Sequence, residues 1–233
     1  MPFQYPVFRT RRWAILAVAL CILISVLFYF VDKPLALQLH AGTTPWIFDL
    51  FNVVDELGAS ELYLVPALVL YIWAMLALSR GWSMPFSWQA GPVARASLFL
   101  ISTMALGGMI TMLLKKMVER ARPELLIEQG IYGLGTPFSG VKDFNSFPSS
   151  HTQAAFAAAA ALAILAPRWR VPLMVLAGAV ATARVVNLDH YLSDVLGAAF
   201  IAIASAAFLA PLILNREAAW PVRTPWRWFS FGG

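Results

Sequence analysis

The chain has 233 residues, of which 60% are hydrophobic and only 12% are Asp, Glu, Lys or Arg, about half the roughly 25% charge of an average soluble domain. So little charge cannot cover a globule in water, and the apolar residues are gathered in long runs; together these exclude a disordered chain, a secreted disulfide scaffold and an ordinary cytosolic enzyme. The net charge of +5, from 17 Lys and Arg against 12 Asp and Glu, does not point to nucleic acid, because no basic stretch is interleaved with exposed aromatics.

In chain order, six runs are candidates to cross a hydrocarbon layer of roughly 30 Å, which takes about 17 to 25 helical residues. They are Ala14 to Val31, Leu62 to Leu78, Ala96 to Leu114, Thr152 to Ala166, Val171 to Val186 and Leu192 to Leu214. The first follows Arg9, Arg11 and Arg12, but its end, Phe28-Tyr29-Phe30-Val31-Asp32, lacks the small residues of a cleavage site, so it reads as a retained anchor. Cys21 within it is the only cysteine, which excludes an intrachain disulfide and a thiolate metal site. The short fourth and fifth runs flank Ala166-Pro167-Arg168-Trp169-Arg170-Val171-Pro172, whose prolines end one helix and start the next, giving a helical hairpin.

Two segments do not span. Residues Pro45 to Leu57 carry Trp46, Ile47, Leu50, Phe51, Val54 and Leu57 at spacings of three and four, with Asp49, Asn52, Asp55 and Glu56 between them. That is the pattern of an amphipathic helix lying in the interface. Residues 124–147 hold Gly130, Gly133, Gly135, Pro137 and Gly140 and read as a loop. The chain is therefore expected to be an all-α polytopic membrane protein of one domain.

Ten basic residues fall at one set of span ends, Arg9, Arg11, Arg12, Arg80, Arg95, Arg168, Arg170, Arg216, Arg223 and Arg227. Lys33, Lys115, Lys116, Arg120, Arg122, Lys142 and Arg184 fall at the other. Basic residues in short loops are held in the cytoplasm, which puts both termini there. Of the acidic residues only Glu217 lies with the larger basic set, and Trp13, Trp82, Trp88, Trp169, Trp220, Trp226 and Trp228 flank the spans as an aromatic belt would.

Ionisable residues at span ends are functional candidates when they can be given partners, and three groups map to the same membrane face. In Lys115-Lys116-Met117-Val118-Glu119-Arg120-Ala121-Arg122-Pro123, the seven-residue spacing of Lys115 and Arg122 would put two cations on one helical stripe, about 10 Å apart. A plainer reading is a snorkelling basic collar. In Phe147-Pro148-Ser149-Ser150-His151-Thr152, Ser149 or Ser150 can cap the next helix, aiming free N–H groups and the helix dipole at an anion; the plainer reading is an ordinary cap. In Arg184-Val185-Val186-Asn187-Leu188-Asp189-His190-Tyr191-Leu192-Ser193-Asp194, His190 and Asp194 stand one helical turn apart. The carboxylate can then hold one ring nitrogen and leave the other free as a nucleophile. Lys115, Arg122 and Arg184 would repel a metal ion, so the assembly is expected to bind an anion.

At these residues the chain resembles the type 2 phosphatidic acid phosphatase family, whose helical fold is shared with vanadium haloperoxidases. The family signature is Lys, six residues, Arg-Pro; then Pro-Ser-Gly-His; then Ser-Arg, five residues, His, three residues, Asp. This chain has Lys115 to Arg122-Pro123, Pro148-Ser149-Ser150-His151, and Arg184 to His190 and Asp194, in that order and spacing. Ser150 stands where the motif has glycine, and Ala183 where it has the serine before the arginine.

The resemblance implies a haloperoxidase-like core and a metal-independent phosphatase acting on a lipid phosphate or diphosphate. Lys115, Arg122, Arg184, Ser149 and the N–H groups near Ser150 would hold the phosphoryl oxygens. His190, oriented by Asp194, would form a phosphohistidine; His151 would protonate the leaving oxygen and then help water cleave the intermediate. The site would face the periplasm or exterior of a bacterial inner membrane. Candidate substrates are lipid A phosphate, phosphatidylglycerophosphate, phosphatidic acid and undecaprenyl diphosphate, with Phe138, Lys142, Asp143 and Asn145 selecting the headgroup. A phosphotransferase using the same intermediate and a transporter of anionic lipids are the rival readings; transport would favour ionisable groups near mid-membrane.

Overall fold

The computed structural model describes residues 10–84 and 88–214. Arg9, Arg216, Glu217, Trp220, Arg223, Trp226, Arg227 and Trp228, used above for topology, lie outside the described residues.

Nine α-helices form among the described residues: α1 (Thr10–Phe30), α2 (Asp32–Gly42), α3 (Pro45–Asp55), α4 (Glu61–Arg80), α5 (Ala90–Val118), α6 (Pro123–Gln129), α7 (Ser150–Leu165), α8 (Arg170–Val186) and α9 (Leu192–Ile213). Short 3-10 turns occupy Glu56–Gly58, Lys142–Phe144 and Pro167–Trp169. No strand forms among these residues, only isolated bridges from Arg120 to Leu134 and to Asn145. The chain is an all-α polytopic membrane protein.

Five stretches are long and apolar enough to cross a membrane, and they contain α1, α4, α5, α8 and α9. The sixth expected span, α7, has only 16 residues, about 24 Å at 1.5 Å per residue, less than the hydrocarbon thickness of roughly 30 Å. By contrast α5, with 29 residues, is about 43 Å long and carries Lys115 in its last turn.

The core forms around α7, which packs against α5, α8 and α9. Its run of alanines makes this possible. Ala154, Ala157, Ala158, Ala160 and Ala161 are buried against Phe99, Leu100 and Met104 of α5 and Ala202, Ala206 and Ala210 of α9. Between apolar helices in lipid there is no hydrophobic drive to associate, so small residues that let backbones approach supply the packing. The outer faces stay apolar: Ile15, Val18, Ile22, Val65 and Val69 are all more than half exposed, as lipid-facing residues should be.

Three differences from the sequence reading bear on the site. A helix forms at Asp32–Gly42, where no element was expected, and it buries Asp32 and Ala36. The segment 124–147 is not all loop, because Pro123 at the first helical position starts α6, which Gly130 (φ 72°) closes. Finally α3 ends at Asp55, before the expected Leu57, and packs on α8.

Candidate active site

The end of α5 is where the chain turns into the site. Its C-terminus is Glu119 in the left-handed region, φ 43°. The Glu119 carboxylate accepts from Ser139 Oγ at 2.5 Å and Gly140 N at 3.1 Å, and these bonds hold its pKa below the usual carboxylate range. Beyond this break the backbone is extended. Ala121 N donates to Gly133 O at 3.0 Å, Arg122 N to Asp143 O at 2.9 Å and Ser146 N to Arg120 O at 3.1 Å. Lys115 and Arg122 are therefore not on one helical stripe as expected. Lys115 is in the last turn of α5, while Arg122 is the N-cap of α6.

Lys115 Nζ donates to Asn145 O at 2.6 Å. Neither Lys115 nor Arg122 has a carboxylate within ion-pair distance among the described residues, and Arg122 Nε is buried without a partner. The remaining headgroup candidates line this loop. Phe138 is exposed, Asp143 and Asn145 hold Arg122 and Lys115 through their carbonyls, and the Lys142 side chain lies outside the described residues.

Ser149 caps α7, its Oγ accepting from Thr152 N at 3.4 Å. The Ser149 N–H itself goes to Asp194 O at 3.3 Å. Gln153 N also bonds Ser149 O, which leaves the N–H groups of Ser150 and His151 as the orphan donors of the helix start. His151 is backed by Gly58. A Cβ on that glycine would meet His151 Cβ at 2.8 Å, His151 Cδ2 at 3.0 Å and Val180 Cγ1 at 3.0 Å. The 3-10 turn after α3 is thus in direct contact with the ring.

His190 does not lie on the same helix as Asp194, as the four-residue spacing suggested. It precedes Tyr191, the N-cap of α9, and its N–H bonds Arg184 O at 3.1 Å. Asp194, in the first turn, reaches back so that its Oδ2 accepts from Tyr191 N at 2.8 Å and Ser146 Oγ at 2.6 Å. His190 Nδ1 is 3.7 Å from the same oxygen, beyond hydrogen-bond length, and Nδ1 has no other partner. Catalytic contacts of this kind are often long before substrate binds. Burial pushes the His190 imidazole down to about 3, with the charges of Lys115 and Arg184 acting the same way and Asp194 opposing them. His190 is therefore neutral at physiological pH.

Arg184 is buried at the end of α8. Its Nη1 donates to Asp55 Oδ2 at 2.6 Å and lies 3.2 Å from Asp189 Oδ2, while Nε is buried without a partner. Asp55 was read as a solvent-facing residue of an interfacial helix; instead α3 is clamped to α8 by this pair and by Asn187 Nδ2 to Asn52 Oδ1 at 2.9 Å. Burial pushes the Asp189 carboxyl up, Asp55 adds to this, and Arg184, Arg122 and His151 oppose it. Burial and the charge of Arg184 push the His151 imidazole down, with Asp55, Asp189 and Glu61 opposing them. Arg184 is the common neighbour: its charge bears on Lys115, on His151 and on His190, while Arg122 and Asp194 bear on Lys115.

The sequence reading missed Arg120, treating it as one of the basic residues in the run after α5. Its side chain is 2% exposed. Nη1 donates to Asp194 Oδ1 and Ser193 Oγ, both at 2.6 Å, and Nη2 to Asp32 Oδ2 at 2.9 Å and Tyr132 Oη at 3.2 Å. Asp32 also accepts from Ser193 Oγ at 2.5 Å and Ser193 N at 3.2 Å, and Tyr132 donates to Phe28 O. The guanidinium lies over Tyr191 at 4.1 Å and Phe28 at 4.8 Å. Its neighbouring carboxylates hold the Arg120 pKa above the ordinary arginine value against burial. The available signal was an otherwise unexplained Asp32 beside the first span. No three His, Cys, Asp or Glu side chains cluster to hold a metal ion among the described residues.

Comparison with known proteins gives this arrangement a family. Lipid A 1-phosphatases of Rhizobium etli and Rhizobium johnstonii are 40% and 39% identical to the chain over 113 residues. That is 48% of this chain and 48% and 46% of theirs, so the chain spans about half the length of the curated relatives it matches. The fold resembles two crystal structures. One is a transmembrane PAP2-type phosphatidylglycerolphosphate phosphatase from Bacillus subtilis (TM-score 0.59, 19% identity, covering 85% of this chain and 93% of that one). The other is LpxE of Aquifex aeolicus (TM-score 0.54, 22% identity, covering 76% and 92%). The model of the PAP2 superfamily matches residues 96–218, which include all three charged clusters, and the chain belongs to that superfamily.

Proposed function

We propose that the chain is a membrane lipid phosphatase that cleaves a lipid phosphate through a phosphohistidine. The observation that carries this reading is a charge imbalance: among the described residues Lys115 and Arg122 have no carboxylate at ion-pair distance, Arg184 shares one amino group between two, and the charges of Lys115 and Arg184 bear on a neutral, buried His190. Like charges gathered against their own repulsion suit a multiply charged oxyanion.

In this mechanism Lys115, Arg122, Arg184 and the N–H groups of Ser150 and His151 bind the phosphoryl oxygens, and Ser149 holds the start of α7 that presents those N–H groups. The carboxylate of Asp194 keeps the His190 proton on Nδ1, so Nε2 carries the lone pair. Nε2 attacks phosphorus in line. A P–N bond forms as the P–O bond to the lipid breaks, and His151, protonated, gives its proton to the departing alkoxide. His151 then takes a proton from water, which attacks phosphorus and breaks the P–N bond, releasing inorganic phosphate and restoring His190. No step uses a metal.

The distribution of basic residues supports a reading in which both termini lie in the cytoplasm of a bacterial inner membrane and the site lies at the outer face, where a lipid tail stays in its leaflet while the phosphate reaches the cations. Lipid A 1-phosphate is the first substrate to try, because the curated relatives carry that activity in their names. Phosphatidylglycerophosphate, phosphatidic acid and undecaprenyl diphosphate complete the panel. Purified protein should release inorganic phosphate from at least one of them in the presence of chelator, and vanadate should inhibit. Release only when an acceptor alcohol is added would make it a phosphotransferase; no release, with lipid movement instead, would make it a transporter.

A further inference from the structure

A groove of about 490 Å³ runs down from the site between α4, α5 and α7. Lys115 and Ser150 stand at its mouth, and most of its wall is apolar, including Leu64, Ile101 and Met104. Two buried polar side chains interrupt that wall. Thr111 is 2% exposed and Gln153 4%, and neither Thr111 Oγ1 nor Gln153 Nε2 has a hydrogen-bond partner.

They face the groove from its two walls at successive depths. On α5, Thr111 is one turn before Lys115; on α7, which runs the opposite way, Gln153 is about one turn after Ser150. The amide fits because α5 has a glycine against it: a Cβ on Gly107 would meet Gln153 Nε2 at 2.4 Å. A threonine inside a helix commonly bonds the carbonyl four residues back, and Thr111 does not. An amide N–H and a hydroxyl left unbonded in apolar surroundings are costly. Here both line one groove, Thr111 about one helical turn below Lys115 and the Gln153 amide about one turn further down, against Gly107.

We infer that this groove takes an acyl chain of the substrate, and that Gln153 and Thr111 bind the carbonyl or hydroxyl oxygen that joins the chain to its phosphate-bearing headgroup. The inference rests on the lipid phosphatase reading and narrows it. In an ester- or amide-linked lipid phosphate a carbonyl lies a few bonds from the phosphate, whereas the chain of a polyprenyl phosphate has no oxygen there. The enzyme should therefore act on acylated lipid phosphates in preference to prenyl ones.

The test uses the full chain in mixed micelles and a matched pair, a phosphatidic acid with ester-linked chains and its dialkyl-ether analogue, with a polyprenyl phosphate as the third substrate. The quantity read is the ratio of kcat/KM for ester over ether. Wild type should favour the ester roughly three- to tenfold, the worth of one neutral hydrogen bond, and turn over the polyprenyl phosphate no faster than the ether. Gln153→Leu should bring the ester-to-ether ratio near one. Thr111→Val, nearly the same shape, should move it in the same direction if Gln153→Leu does not fold. A wild-type ratio of one, or variants that slow all three lipids equally, overturns the groove assignment while phosphate release still upholds the phosphatase. Release from no lipid phosphate removes both.

Discussion

Arg120 and Arg184 are both buried beside a pair of carboxylates at the same end of the bundle, but their charge balances differ. Around Arg120 the anions outnumber the cation: Asp32 and Asp194 share it, Ser193 and Tyr132 complete its bonds, and aromatic rings cover it. Around Arg184 the cations outnumber the anions, because Lys115 and Arg122 bring charge that no carboxylate pairs at ion-pair distance among the described residues. The first cluster is closed and ties the end of α1 and the start of α2 to the start of α9. The second is open to an anion. On the proposed mechanism one chain thus uses the same residue type as a tie and as a ligand, and the surplus of charge tells the two apart.

The sharpest break of this comparison is at the group that both clusters flank. His190→Ala should lower turnover by roughly 10⁴- to 10⁶-fold, as removal of a nucleophile does elsewhere, measured as phosphate release. Retained activity would leave the open cluster without its nucleophile. Next is the closed cluster. Arg120→Ala leaves Asp32 and Asp194 buried and unpaired, a loss of about 3–5 kcal/mol, seen as a lower thermal midpoint in detergent. Adding Asp32→Asn should recover part of that loss; if it recovers nothing, the carboxylates are not what Arg120 neutralises.

The same substitution at the two positions sharpens the contrast. Arg184→Lys should cut kcat/KM about 10²-fold, the effect of removing one donor to a developing oxyanion, with a smaller loss of stability than at Arg120, since the lysine keeps a charge for Asp55. Arg120→Lys should lower stability. The reverse assignment would sink the distinction between ligand and tie.

A smaller effect follows from the protonation of His190. Burial holds its pKa near 3 against about 6.5 in the unfolded chain. Between those values the unfolded state binds the extra proton. Stability from this group is thus fully present above about pH 6.5 and is lost as pH falls toward 3, by up to about 1.4 kcal/mol per unit. His190→Gln should flatten the fall in thermal midpoint between about pH 6.5 and 4.5; an unchanged slope would mean that the ring is not held neutral.

Span positions and the charged residues were legible in sequence because each is a local signal: an apolar run, a proline, a spacing. Geometry that depends on distant pairing was not. Lys115 and Arg122 read as a helical stripe because a left-handed break at Glu119, a residue other than glycine, leaves no mark in the sequence. Asp32 and Arg120 are 88 positions apart, and no periodicity joins them. Asp55 looked like a polar-face residue, since an amphipathic pattern shows which residues are polar but not which of them finds a buried arginine. The alanine run of α7 announced an apolar helix, but its central place comes from neighbours that the run itself does not name.

Gly58 offers the finest probe, because it contacts the site without carrying charge. The methyl of Gly58→Ala would lie 2.8 Å from His151 Cβ, the rigid base of that side chain, and 3.0 Å from Val180. His151 must then shift by a few tenths of an ångström, leaving the charge of both clusters intact. If His151 is the general acid, the shift matters only where the leaving oxygen needs a proton. Turnover of an alkyl phosphate should fall roughly three- to tenfold, since misplacement of about 1 Å can cost 10²-fold. Turnover of an aryl phosphate, whose leaving group departs unaided, should hold. Equal losses on both would show that Gly58 supports the pocket as a whole and that the proton at the leaving oxygen comes from elsewhere.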